Sequence, residues 1–393
     1  MEAPPGESAS EAARAPGPFA LLADVNRHRN MDWVFIGDQG LRAGWLLLIA
    51  VALYRLFATI LGTLAFEIDS GIAHLGFSAI GVLISELIPL LSIVAAGGFM
   101  ALIEGRTILD YNLAGQRPGL YFFSGLTAGF ATLSVLVGAL AWGGWLHFGP
   151  IALSGAEIFK FGALWAGAFL LVGLLEEGTF RCYLQFTLTR GINFWWAMGI
   201  ISALCTDLLL RSNGSEGIVA FVWMDSPPAL KGNGAWGVYA AALLGLLPCL
   251  LLHLRKVAGA AFWQAAWVTS TLFGFIHTGN GGENPVGVFA AAAIGFVFCV
   301  SVRLTGSAWW AIGCHTAWDW AETYFYGTAD SGLPAQGHYL TSTPAGNPLW
   351  SGGTDGPEGS LLVLGVILLL LTDLLAVYGR RSSAASPMEP AAG

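Results

Sequence analysis

Charge is what this sequence has least of. Asp, Glu, Lys and Arg make up 11% of its 393 residues, against about 25% in an ordinary soluble domain, which excludes a water-soluble globular chain. It has no basic stripe, and its formal net charge is −8, so nothing points to nucleic acid. Cysteine is scarce as well. Cys182, Cys205, Cys249, Cys299 and Cys314 stand singly in apolar runs without paired spacing. That pattern excludes a disulfide framework and a zinc finger and leaves small packing residues. No HExxH occurs and no serine sits in a GxSxG elbow, so two common hydrolase signatures are missing. The opening stretch, MEAPPGESASEAARAPGPFA, lacks a basic segment followed by an apolar one. Residues 1–40 therefore read as a disordered polar tail rather than a signal peptide.

What remains is apolar. Hydrophobic residues account for 55%, with 16 Trp and 53 Gly; aromatics favour bilayer interfaces and small residues favour close helix contacts. A spanning helix needs about 20 mostly apolar residues. Such runs recur at about 43–66, 76–103, 119–145, 160–188, 194–211, 235–254, 258–279, 285–304, 307–326 and 359–379. The expected fold is an all-α, polytopic transmembrane helical bundle of about ten spans. The domain reading is a tail (1–40), N-terminal transmembrane helices (41–118), a membrane core (119–327), an extramembrane Gly/Pro-rich loop (328–358), a last span (359–380) and a second disordered tail (381–393). The loop is open between a lid and a mere connector.

With the N-terminus inside, twelve Lys and Arg residues fall on inner segments, among them Arg106, Arg190, Arg255 and Lys256. Only Arg211 and Lys231 fall on outer loops, and residues 327–358 hold neither Lys nor Arg. By the positive-inside rule both termini are expected to be cytoplasmic.

Charges at membrane depth cost about 2.5 to 3.5 kcal/mol each on insertion scales and are seldom idle. Three groups stand out. In LLEEGTFRCYLQ, Glu177 and Arg181 are four apart on one helical face, so an ion pair is available. Glu176 lies about 100° round, free for proton transfer as a general base. The blander alternative is an ion pair that only fixes packing. In FGFIHTGN, Phe273 and His277 share a face, and the histidine could equally be a hydrogen-bonded packing residue. In GCHTAWDWAE, His315 and Asp319 lie one turn apart with Glu322 close behind. That pair could ligate a metal, relay protons, orient an imidazole, or simply satisfy itself. Such groups stabilise one another only where their helices converge on a polar cavity, which is a hydrolase site or an ion path. Transporters favour repeated halves, and none is visible here.

At these residues the sequence resembles the CPBP family of membrane proteases, which includes the type II CAAX prenyl endopeptidases and Abi proteins. The family is marked by EExxxR, FxxxH and HxxxN or HxxxD on separate spans. Here they read EEGTFR (176–181), FGFIH (273–277) and HTAWD (315–319). The resemblance covers roughly residues 120–327 and implies an intramembrane endopeptidase of a bacterial plasma membrane, without cofactor or catalytic metal. Its substrate would be a peptide or protein in the bilayer, prenylated or not. It implies that Glu176 and His277 activate a water, that Glu177 and Arg181 hold the site, and that His315 and Asp319 stand where the oxyanion is stabilised. An ionised Asp cannot donate to an oxyanion, so Asp319 is expected to orient His315. The 92 positions between Arg181 and Phe273 exceed the family's short connection by about one helix pair (194–256). The alternative reading is a non-enzymatic family member for bacteriocin immunity or partner binding.

Overall fold

A computed structural model describes residues 35–37, 40–69, 71, 76–212, 235–280, 282–333 and 336–382. The two expected tails, apart from the few residues named, and Lys231 lie outside the described residues. Helices dominate, and the molecule is an all-α polytopic bundle. In chain order they are α1 (Ala43–Ile68), α2 (Ala79–Glu104), α3 (Pro118–Trp142), α4 (Ala156–Glu177), α5 (Gln185–Gly191), α6 (Phe194–Ser212), α7 (Ala235–Leu254), α8 (Ala260–His277), α9 (Pro285–Thr305), α10 (Trp309–Asp319) and α11 (Leu362–Ser382). A π-helical segment, Gly178–Leu184, joins α4 to α5, and another, Trp320–Tyr326, continues α10.

The helix starts and stops follow local chemistry. Ser78 caps α2 through Gly81 N–H, and Asn284 caps α9 through the N–H groups of Val286 and Gly287. Pro118 and Pro285 open their helices where no amide donor is needed. Gly105, Gly306 and Gly327 close α2, α9 and the second π segment in the left-handed conformation.

Each of the ten expected runs forms a helix, and among the described residues six segments are both long and apolar enough to cross a membrane: α1, α2, α3, the continuous 156–191 segment, α9 and α11. The expected count of ten spans is therefore not met by that standard among the described residues. The shortfall has a physical reason in α8 and the α10 segment. They carry buried polar groups, Gln264, Thr269, Ser270 and Thr271 on α8 and Thr316, Asp319, Glu322 and Thr323 along α10. These helices are interior elements whose polar groups meet protein rather than lipid.

Helix α10 is wedged between α3 and α4. A Cβ at Gly125 or Gly129 would collide with the carbonyls of Trp310 and Cys314, and one at Gly313 with the Phe122 carbonyl. Bare glycine backbones on both helices are what allow this approach, the membrane small-xxx-small contact. The core behind it gathers Leu133, Leu136, Leu140, Phe298, Trp310 and Trp318. A separate cluster of Ile201, Leu204, Cys249, Ala265 and Val268 ties α6 and α7 to α8. All five cysteines are buried and outside any disulfide, as packing residues should be.

The 327–358 loop is neither bare connector nor structureless. Its strand Leu340–Pro344 pairs antiparallel with Leu146–Ile151, from Leu146↔Pro344 to Ile151↔Leu340. A helical turn at Pro348–Ser351, capped by Asn347, follows.

Candidate active site

The EExxxR segment straddles the change from α-helix to π-helix. Glu177 is the last residue of α4 and Arg181 lies in the π turn, an irregularity frequent at functional sites. Both side chains are fully buried, with Arg181 Nε 3.1 Å from Glu177 Oε2. This is charge contact without aligned hydrogen-bond geometry, since the guanidinium nitrogens have no aligned acceptor among the described residues. The rest of the guanidinium is held by ring faces: its carbon stands 4.4 Å from the Phe273 centroid, 5.4 Å from Phe298 and 5.7 Å from Phe180. Gly295 of α9 leaves the space, because a Cβ there would stand 2.5 Å from Arg181 Nη2. Asn112 donates to the Arg181 carbonyl at 2.7 Å, fixing the π backbone from another part of the chain.

Glu177 has a second duty. Its Oε1 lies 3.0 Å from Nδ1 of His315. One buried carboxylate thus links the first and third motifs. The opposite ring nitrogen, Nε2, lies 3.4 Å from Asp319 Oδ2 and 3.8 Å from Glu176 Oε2. Phe298 stacks on the imidazole at a centroid distance of 5.8 Å, and the edge of Phe273 approaches at 6.0 Å. Phe273, the aromatic of the FxxxH motif, therefore touches Arg181, His315 and His277 together. His277 uses Nδ1 on the Phe273 carbonyl at 2.8 Å, which leaves Nε2 free.

Glu176, His277, His315 and Asp319 line one cavity of about 430 Å³, shared with Glu86, Asn280, Asp330 and Glu358. Glu177 and Arg181 do not line it; they lie sealed behind. The six expected residues are thus brought together in two layers. The orienting contact on Nδ1 of His315 comes from Glu177, whereas Asp319 faces the cavity-side nitrogen. Sequence reading missed Glu86, although it sits mid-span in α2, where an ionisable residue is itself a signal. It also missed the loop carboxylates, which carry no membrane-depth signal.

On the loop side of the cavity, carboxyl groups crowd together. Burial, then the Glu358 charge, pushes Asp330 up to about 7 and Asp355 up to about 8. Burial and the Asp355 charge push Glu283 up to about 10.

With this geometry in hand, one comparison with known proteins is informative. Residues 245–321 match the model of the family described as Type II CAAX prenyl endopeptidase Rce1-like. The match supports CPBP family membership. It takes in the FxxxH and HxxxD motifs but begins after EExxxR, so Glu176, Glu177 and Arg181 rest on their spacing and on the contacts just described. The Rce1-like match and the six apolar helices among the described residues indicate an integral membrane protein. No curated protein and no solved structure gives a match.

Proposed function

We propose that the chain is an intramembrane endopeptidase that hydrolyses a peptide bond at the 430 Å³ cavity, with Glu176 as general base. The observation that carries this reading is the Glu177 bridge, which touches Arg181 with one oxygen and Nδ1 of His315 with the other. With a carboxylate on each side, Glu177 at Nδ1 and Asp319 at Nε2, His315 in this scheme carries both ring protons and directs its Nε2–H into the cavity. There it faces the partly exposed Glu176, whose Oε2 stands 3.8 Å away.

Water bound between Glu176 and His277 gives its proton to the Glu176 carboxylate while its oxygen adds to the scissile carbonyl carbon. The His315 Nε2–H, steadied by Asp319, donates to the developing oxyanion. Collapse of the tetrahedral adduct breaks the C–N bond, and the proton held by Glu176 moves to the leaving nitrogen. Metal is not required by this scheme. His277 and His315 each spend Nδ1 on a protein acceptor, and the catalytic groups carry their own proton path. The excess of inner Lys and Arg supports cytoplasmic termini.

The test is cleavage by purified protein of farnesylated and unprenylated CaaX peptides and of a generic peptide library, compared with Glu176→Gln. Cleavage by the wild type and its loss in Glu176→Gln supports the proposal. Equal cleavage by both proteins overturns it.

A further inference from the structure

Three carboxylates from three places in the chain meet on the loop side of the cavity: Glu322 in the π segment after α10, Asp330 in the loop beyond it, and Glu358 just ahead of α11. One oxygen from each lies within 4.8 Å of the others. An acidic cluster alone would mean little. Here, however, Glu322 is fully buried, and neither of its oxygens meets a hydrogen-bond donor among the described residues. Its backbone carbonyl is satisfied by Thr328, through both N–H and hydroxyl, so the side chain alone lacks a partner. Among the described residues the other two acids are hydrogen-bonded by neutral groups: Thr323 donates to Asp330 at 2.8 Å, and Trp318 and Ser331 donate to Glu358 at 2.7 and 3.1 Å. No Lys or Arg occurs anywhere in residues 327–358 to neutralise them.

A buried carboxylate without donor or cation is costly. We infer that Glu322, Asp330 and Glu358 form a binding site for a hard divalent cation of the calcium class. The donor set is oxygen only, which suits calcium or magnesium and disfavours zinc, whose preferred nitrogen and sulfur ligands are missing. Oxygens around one calcium, each about 2.3–2.6 Å from it, stand at most about 5 Å apart, a span the trio fits; magnesium demands a tighter shell. The site lies beside the hydrolytic centre but shares none of its proposed catalytic groups. Asp330 and Glu358 also line the cavity. The cation therefore clamps the loop that forms one cavity wall onto the helix that carries His315.

The test needs no turnover and is independent of the protease reading. Full-length protein in detergent is stripped with a chelator, dialysed, and titrated with radioactive calcium by equilibrium dialysis, with the melting temperature followed in parallel. The expected result is one calcium per chain, a melting temperature that climbs with calcium, weaker binding of magnesium, and no displacement by zinc. Glu322→Gln and Asp330→Asn should each weaken binding at least about tenfold, since ligand charge sets affinity at such sites. Stripped wild type that takes up no calcium overturns the inference, as does undiminished binding by a folded carboxamide variant. Because the wild type alone can refute it, a variant that fails to fold does not shelter the proposal.

Discussion

The two neighbouring glutamates should separate cleanly when each is changed to its amide. Glu177 is sealed from solvent and supplies the carboxylate next to Arg181. Glu177→Gln keeps an oxygen for Nδ1 of His315 but removes the charge, leaving a guanidinium buried among Phe180, Phe273 and Phe298. The ring faces return part of the loss, about 2 kcal/mol for a desolvated cation–π contact. Breaking a buried pair from one side costs about 3–5 kcal/mol, a large share of a stability of roughly 5–15 kcal/mol. Glu177→Gln should therefore lower both the yield and the melting temperature in detergent. The double variant Glu177→Gln/Arg181→Met removes both charges and should regain most of that stability, because an apolar replacement of a buried pair is often neutral or better. It should stay inactive, because the carboxylate charge beside Nδ1 of His315 is gone. Glu176→Gln is the contrasting case. Its side chain is 25% exposed to the cavity, so the fold should be unaffected while turnover falls by ~10²- to 10⁴-fold, the usual share of a general base. The measurement is melting temperature and peptide turnover for all three variants in one detergent. A Glu177→Gln protein as stable as wild type, or a Glu176→Gln protein with normal turnover, would refute the division of labour.

Further expectations concern neighbouring contacts. Gly295→Ala places a methyl 2.5 Å from Arg181 Nη2, and with rings on the other side the guanidinium cannot retreat; a loss of about 1–3 kcal/mol is expected by thermal melting. Phe273→Leu withdraws the ring from Arg181, His277 and His315 together, so turnover should fall more than the melting temperature does; an unchanged rate would sink the placement role. A zinc-selective chelator should leave turnover intact, and restoration of a chelated enzyme by zinc would point instead to a metalloprotease. In cation-free buffer, Glu283→Gln should flatten the pH dependence of melting. Burial and the Asp355 charge push the native carboxyl up to about 10 from the ordinary 4.5, so the folded state holds an extra proton between those values and loses stability as pH rises through them.

Much of this was legible because charge is rare in the chain. With 11% charged residues, an ionisable group inside an apolar run stands out, and the three motifs surfaced that way, although Glu86 was passed over. The helices surfaced for the same reason. Less visible was anything that depends on partners far apart in sequence. The pairing of 340–344 with 146–151 joins segments nearly two hundred residues apart, and neither is long or alternating enough to be read singly. The π turns keep helical periodicity in the sequence, so nothing in the pattern of EEGTFR distinguishes them. Glu322 was noticed only as a neighbour of His315, whereas its functional company, Asp330 and Glu358, lies in a loop where acidic residues are ordinary.

Under the proposed mechanism, Glu177 also accounts for two adjacent glutamates. A single carboxylate cannot both stay buried against Arg181 and His315 and remain free to exchange protons with water, since the first role needs a fixed charge and the second a changeable one. Consecutive positions at the end of α4 divide these needs: one side chain points into the sealed layer and the next into the cavity. The π turn that follows carries Arg181 under the rings of α8 and α9, where the phenylalanines and Gly295 hold it without solvent. The FxxxH phenylalanine is thus as much a part of the charge arrangement as the acids are. Replacing it disturbs three charged or ionisable groups at once, which is why its effect on rate should exceed that expected from lost packing alone.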